Sequence, residues 1–182
     1  MGQASERLFD EYLVAAARAG DRPAFEQLAR RWQGRLVAHA WRLTGDREMA
    51  RDAAQAGWGE IARGLGRLRD ERAFPAWAYR IVSRACAGEI GAAVKRRRIA
   101  AELQAAEQPT AAEPVEPSGH GRLQAAIRGL PAGERAAIAL HHFEELSVAE
   151  VAVALAVPAG TVKTRLMNAR RKLRAILEGD DP

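Results

Sequence analysis

The residues best suited to chemistry in this 182-residue chain are basic side chains near its C-terminal end. Residues 160–174 carry six Lys or Arg side chains and no acidic one. Such cations bind phosphate oxygens, while small polar side chains beside them can reach base edges in a groove. The pattern favours a nucleic-acid surface over a catalytic centre. A merely solvated basic helix is the alternative interpretation.

A helix predicted from Thr161 would carry this surface. With 100° per residue, Val162, Leu166 and Ala169 form an apolar stripe, and Leu173 continues it. Polar side chains then lie on or beside the opposite face. The side chains expected to contact DNA are Thr161, Lys163, Thr164, Arg165, Asn168 and Arg171.

A short capped helix precedes the basic one and would position it. Ser147 and Glu150 have the spacing of a capping box, which predicts a helix from Val148. The residue before Pro158 disfavours helical backbone, so the helix should end there and leave a turn at 156–160. Two helices around a short turn predict a helix-turn-helix, whose second helix enters the major groove.

Composition predicts an all-α fold. Hydrophobic residues make up 48% but aromatic residues only 5%, and no alternating strand pattern stands out. Residues 99–121 hold four glutamates, three prolines and no basic residue, which is typical of a flexible acidic linker. We therefore predict two small helical domains, at 1–98 and 122–182, joined by this linker.

The first domain is predicted to contain four helices, over about residues 7–19, 23–43, 47–68 and 76–98. Asp21 and Asp46 are suited to N-caps, and Gly45 to a C-cap. Three glycines between positions 57 and 64 should weaken the third helix by about 1 kcal/mol each unless close packing compensates.

Several function classes are disfavoured. The single cysteine, Cys86, excludes an internal disulfide and a Cys-based zinc site. Because adjacent residues on a helix point about 100° apart, His141 and His142 are not suited to bind one metal ion. We expect no metal, no cofactor and no enzyme activity. No apolar run is long enough for a secretion signal or a membrane span. A net charge of +5 and a pI near 10.1 favour polyanionic partners, and we expect a cytoplasmic protein without membrane insertion.

The C-terminal residues resemble the promoter-binding domain of bacterial extracytoplasmic-function sigma factors. That resemblance implies that the helix-turn-helix binds the minus-thirty-five element. The matching segments are Leu130-Pro131, Glu134-Arg135, Leu140-His141, Glu145-Leu146-Ser147, Glu150-Val151-Ala152, Val157-Pro158, Gly160 through Arg165, and Ala169-Arg170.

Residues 22–98 are similar to the N-terminal domain of the same family, which docks on RNA polymerase and reads the minus-ten element. The likeness rests on the Gly-Asp break, a Phe-x-x-Trp-x-Tyr-Arg segment at 74–80 and a basic tail. It implies that Asp52 and Gln55 bind polymerase. Phe74 and Trp77 are expected to pack in the core. The DNA contacts expected in this domain are Tyr79 and Arg80, both facing outward, with Arg84, Lys95, Arg96 and Arg97.

This sequence departs from the family at three positions. Ala56 stands where the family has an acidic residue, and Arg84 and Gly88 stand where it has Asn and Asp. The basic run 95–98 could also serve only to end its helix favourably against the helix dipole.

The resemblance implies a non-enzymatic sigma factor that binds core RNA polymerase and promoter DNA and has an anti-sigma factor as its regulator. Two alternatives stay open at this level. One is a helix-turn-helix regulator that does not bind polymerase. The other is a sigma-derived interaction module that has lost promoter melting, which the three departures suggest.

Overall fold

The computed structural model describes residues 3–103 and 119–179, and within these ranges all regular structure is helical. The all-α prediction is confirmed. The first domain contains α1 (Gln3–Arg18), α2 (Arg22–Thr44), α3 (Arg47–Gly64) and α4 (Phe74–Leu103). The second contains α5 (Gly119–Gly129), α6 (Ala132–Ile138), α7 (Val148–Leu155) and α8 (Ala159–Glu178). None of the described helices could cross a membrane.

The predicted caps divide the first domain where the sequence placed them. The Asp21 carboxylate accepts a hydrogen bond from the Ala24 amide at 3.1 Å, and Asp46 accepts from the Met49 amide at 2.9 Å. Gly45 ends α2 in the left-handed region, with φ of 72°. Each break satisfies amides or carbonyls that a helix end leaves unpaired.

The core of the first domain is built around aromatic rings from α2 and α4. The ring centroids of Trp32 and Phe74 lie 5.0 Å apart in an edge-to-face arrangement, and both side chains are buried. Trp77 packs partly buried beside them, so the core prediction for Phe74 and Trp77 is confirmed. Cys86 also lies on this inner side of α4, with its side chain buried.

Two of the three glycines of α3, Gly57 and Gly64, are compensated by close packing. A Cβ atom at Gly57 would lie 2.7 Å from a methyl group of Val82 on α4, and one at Gly64 would lie 2.9 Å from the Trp77 ring. The helix is therefore continuous through Gly57. It ends at Gly64, earlier than predicted, and Leu65–Arg67 continue as a 3-10 turn.

Helices α4 and α5 extend into the predicted linker at 99–121. Helix α4 runs on to Leu103 and α5 begins at Gly119, so both ends of 99–121 are helical. The residues that extend α4 are mostly strong helix formers, and no proline interrupts them. The central part of the predicted linker lies outside the described residues.

The second domain holds the predicted helix-turn-helix. The Ser147 hydroxyl accepts from the Glu150 amide at 3.2 Å, and the Glu150 carboxylate accepts from the Ser147 amide at 2.7 Å. Helix α8 starts at Ala159, two residues before the predicted Thr161, because Pro158 already serves as its N-cap. The sequence did not predict the π-helical turn at Ala139–Phe143 between α6 and α7.

Candidate nucleic-acid interface

The outer face of α8 is open to solvent, while its inner face is anchored. Val162, Leu166 and Ala169 are buried against the rest of the second domain, as predicted. Lys163 and Thr164 are exposed, and Met167, about one turn further along α8, is 60% exposed. A helix fixed by three buried side chains presents its outer face at a defined angle.

The polar groups on this face differ in how free they are. The Thr164 hydroxyl donates to the Gly160 carbonyl at 3.1 Å, so the oxygen lone pairs remain available as acceptors. Arg171 is exposed and approaches the Asn168 amide oxygen at 3.5 Å. Within 3–103 and 119–179, neither Lys163 nor Arg171 forms an ion pair. Both cations can therefore meet phosphate without first breaking a salt bridge.

Other basic side chains of α8 brace the domain instead. Lys172 contacts both carboxylate oxygens of Glu134 on α6, at 2.9 and 3.0 Å. The Arg165 guanidinium lies against the start of α6, where a Cβ at Gly133 would be 2.9 Å from its central carbon. Thr161 and Arg165 are only partly exposed. The six DNA-contacting residues predicted in the second domain thus all lie on α8, but Arg165 is turned towards α6.

The C-terminal part of α4 forms a second basic surface. Lys95, Arg96 and Arg97 are all exposed, and Arg80 is exposed as predicted. Arg84 is also exposed, but its guanidinium donates to the Glu60 carboxylate at 2.6 Å. Arg84 would exchange this ion pair for any phosphate contact.

The prediction that Tyr79 faces outward is wrong. Its side chain has 0% exposure, and its ring packs 5.7 Å from Trp32 and 4.9 Å from His39, measured between centroids. Its hydroxyl donates to the Glu144 carboxylate of the second domain. Burial and the nearby Glu144 charge raise the pKa of the Tyr79 phenol.

The reason lies in the face of α4 that packs. By helical spacing, one apolar stripe of α4 would run through Trp77, Ile81 and Ala85 to Val94. In the structure Tyr79, Val82 and Cys86 also point inward, whereas Val94 is exposed. Because α4 is covered by α2, by α3 and by the second domain, its buried surface is wider than one stripe.

The two residues expected to bind polymerase lie together on α3. Asp52 and Gln55 are exposed and three residues apart, which places them on the same side of the helix. Ala53, Ala54 and Gly57 form the opposite, buried side. Asp52 borders a shallow depression that it shares with Glu48, Glu89, Arg96 and Arg97.

Sequence reasoning missed the residues that join the domains. Glu144 of the second domain accepts a hydrogen bond from Arg42 Nη1 at 2.6 Å, and Arg42 also lies over the Phe143 ring, 4.5 Å from its centroid. His39 is buried beside them, and burial, reinforced by the Arg42 charge, lowers its pKa to about 3. Nothing in the sequence around Glu144 indicates that its partner Arg42 lies 102 positions earlier in the chain.

Comparison with known proteins decides the family. A sigma-70 region 2 model matches residues 28–95, and a sigma-70 region 4 model matches residues 120–173. The ECF RNA polymerase sigma factor SigM of Mycobacterium tuberculosis is 35% identical over 92% of this chain and 84% of its own length. The chain belongs to the ECF RNA polymerase sigma factors. The RNA polymerase sigma-H factor of Pseudomonas aeruginosa is a further relative, 28% identical over 93% of this chain and 94% of its own.

Solved structures have the same architecture as this sigma factor. CnrH, determined in complex with the cytosolic domain of CnrY, matches with a TM-score of 0.71 and 26% identity, over 95% of this chain and 99% of that one. RpoE from Bartonella quintana, determined with the anti-sigma factor NepR, matches in fold with a TM-score of 0.62 and 21% identity, over 86% and 98%. As a sigma factor, the protein is a DNA-binding transcription initiation factor that binds RNA polymerase and is not an enzyme.

Proposed function

We propose that this sigma factor directs promoter-specific initiation by dividing promoter recognition between α8 and α4. Helix α8 would read the minus-thirty-five element in the major groove, and the exposed basic residues of α4 would bind DNA near the minus-ten element. The observation that carries the proposal is the outer face of α8. There Lys163 and Arg171, which form no ion pair within the described part of the chain, flank small polar groups. The Ser147–Glu150 capping box caps α7, the first helix of the helix-turn-helix that carries this face.

On α8, the side chains have distinct chemical roles. Thr164 can accept a hydrogen bond from an exocyclic amino group of adenine or cytosine, because its own proton is used by Gly160. Asn168 can donate to base acceptors through its amide nitrogen, since its oxygen faces Arg171. Lys163 and Arg171 supply phosphate contacts, which set affinity but not sequence preference.

On the first domain, α3 would dock on polymerase through Asp52 and Gln55. Ala56 removes one acidic group that the family has at this face. Glu48 and Glu89 border the same depression as Asp52, so the surface keeps negative charge without it. This charge suits a basic surface of the polymerase and would make docking dependent on salt.

On α4, Arg80 and the run Lys95 to Arg97 would contact DNA phosphates. The burial of Tyr79 removes it from base stacking in the present arrangement of the domains. The proposed function places the protein in the cytoplasm, where bacterial RNA polymerase acts.

Run-off transcription on a genomic fragment library, by core polymerase with and without the protein, tests the proposal. We expect discrete new start sites that share upstream sequence elements. Asp52→Ala should reduce co-purification with core polymerase, whereas Glu26→Ala, which removes an exposed acid from α2, should not. Binding to core polymerase without any initiation would instead support the interaction-module alternative.

A protein regulator is also part of the proposal. A cleft of about 500 Å³ between α4 and the second domain is lined by apolar side chains such as Leu43, Ile90 and Leu155. The charged side chains that line it are Arg80, Arg84 and Arg135. This chemistry suits an anti-sigma segment with apolar and acidic residues, and CnrH was solved with a protein partner.

Co-expression with anti-sigma candidates from the same genome tests this partner. Ile90→Arg should abolish co-purification, whereas Arg174→Ala, on the far helix, should leave it unchanged. Equal recovery of a candidate by wild type and the Ile90 variant would exclude the cleft as its binding site.

A further inference from the structure

The contact between the domains is centred on one buried carboxylate. Glu144 is only 6% exposed, although it follows directly after the turn Ala139–Phe143 at the edge of the second domain. Both donors to its carboxylate, the Arg42 guanidinium and the Tyr79 hydroxyl, belong to the first domain. A buried carboxylate is strongly unfavourable unless it is paired. The position of Glu144 is therefore stable only while the first domain is in place.

Arg42 holds two consecutive residues of the second domain. Its guanidinium pairs with Glu144 and also lies over the ring of Phe143, which remains 41% exposed. The ion pair and the cation–π contact have different geometric requirements. Together they fix both the distance between the two domains at this contact and their relative orientation. His39 Nδ1 lies 4.0 Å from the same carboxylate.

The backbone around Glu144 is irregular on both sides. Before it, Ala139–Phe143 form a π-helical turn, and after it Glu145 has a φ of 56°, a left-handed conformation that side chains other than glycine rarely adopt. Local strain of this kind persists only where surrounding contacts hold it in place. Here the irregular backbone directs the Glu144 side chain out of the second domain and into the first.

We propose that Phe143-Glu144 is a latch that holds this sigma factor closed and must be released when the two DNA-binding helices engage a promoter. The inference rests on the proposed function. In the closed form Arg80 and Arg84 line the cleft that faces Arg135 and Leu155 of the second domain. The latch thus holds the second domain over part of the α4 surface that would bind DNA. Release would uncover this surface and free the Tyr79 hydroxyl.

The latch can be weakened without damaging either domain. Glu144→Gln keeps the size of the side chain but removes its charge, and Tyr79→Phe removes a single hydroxyl. Because hydrogen bonds to charged groups are among the strongest in proteins, each change should shift the closed-to-open ratio at least about tenfold. Apparent affinity for a ligand of the open form rises in proportion to the open fraction while that fraction is small.

Distance measurements between the domains test the latch in the full chain. Gln33→Cys on α2 and Glu178→Cys on α8 lie at exposed positions and would carry a fluorophore pair. All forms carry Cys86→Ala, because Cys86 lines the cleft that opening would uncover. The variants to compare are wild type, Glu144→Gln, Tyr79→Phe and the control Glu26→Gln. The control removes an exposed acid that pairs with Arg22 inside α2, at 3.1 Å.

We expect a longer and broader interdomain distance distribution in both latch variants and an unchanged one in the control. Circular dichroism should show full helix content in all of them. With core polymerase present, binding to promoter DNA should be about tenfold tighter for the latch variants. Identical distance distributions in wild type and Glu144→Gln would overturn the latch, as would open variants that bind promoter DNA no better. Failure of every form to bind promoter DNA, with the distances changed as expected, would refute the proposed function instead.

Discussion

Helices α8 and α4 are both proposed to meet DNA, but they are packed differently. Helix α8 packs mainly on α5, α6 and α7 of its own domain and leaves one face open, whereas α4 is covered by α2, by α3 and by the second domain. A single apolar stripe predicted the orientation of α8 correctly and failed for Tyr79 on α4. Periodicity describes a helix with one neighbour better than a helix that lies between two domains.

The largest effect expected within this comparison is on the anchoring of α8. Leu166→Ala should lower the free energy of unfolding of the second domain by about 2–5 kcal/mol, because the side chain is buried and leaves a cavity. Met167→Ala, at the exposed neighbouring position, is the control and should change it little. Urea denaturation followed by circular dichroism measures both. Equal stability of the two variants would mean that α8 is not held by its inner stripe.

A pH-dependent effect is expected where α4 meets α2 and the second domain. The pKa of His39 in the folded protein is about 3, below the ordinary histidine value of 6.5, because burial and the Arg42 charge disfavour its protonation. The unfolded chain therefore binds a proton between these values that the folded chain does not. The contribution of His39 to the free energy of unfolding is fully present above pH 6.5. It should fall by about 1.4 kcal/mol per pH unit as the pH drops below that value.

Urea midpoints between about pH 7.5 and 5, for wild type and His39→Gln, isolate this effect. Glu144 titrates with the opposite sign, since burial raises its pKa, and it is present in both proteins. The wild type should lose more stability on acidification than the variant. Parallel pH profiles would show that His39 is not buried as neutral imidazole.

The smallest effect concerns the open face of α8. Lys163→Ala and Arg171→Ala should each weaken duplex binding severalfold at all sequences and reduce the slope of log affinity against log salt by about 0.9. Arg174→Ala, which removes a basic side chain further along α8, is the matched control. Fluorescence anisotropy over a salt series measures the slopes. A slope unchanged in the Lys163 variant would remove that residue from the interface.

What the sequence predicted well depends on local chemistry. The capping box of Ser147 and Glu150, the N-cap Asp21 and the C-cap Gly45 each act within a few residues, and each was placed correctly. The outer face of α8 was also predicted, because its orientation follows from a stripe that packs on sequence neighbours. Asp52 and Gln55 are exposed on one side of α3, and their binding to polymerase stays a prediction.

What it missed depends on contacts between distant segments. The burial of Tyr79 follows from a hydroxyl partner, Glu144, that lies 65 positions away. The extension of α4 to Leu103 was missed because the acidic composition of the predicted linker outweighed its helix-forming first residues. The Phe143-Glu144 contact with Arg42 arises only when two domains pack, and neither hydropathy nor spacing predicts it.

The inner side of α4 has one further consequence, for redox chemistry. Burial raises the pKa of the Cys86 thiol to about 12, so roughly one molecule in 10⁵ carries the reactive thiolate at neutral pH. In the closed form, Cys86 is therefore expected to react slowly with peroxide and other electrophiles. Release of the latch would also uncover this side chain, because it lines the cleft between α4 and the second domain.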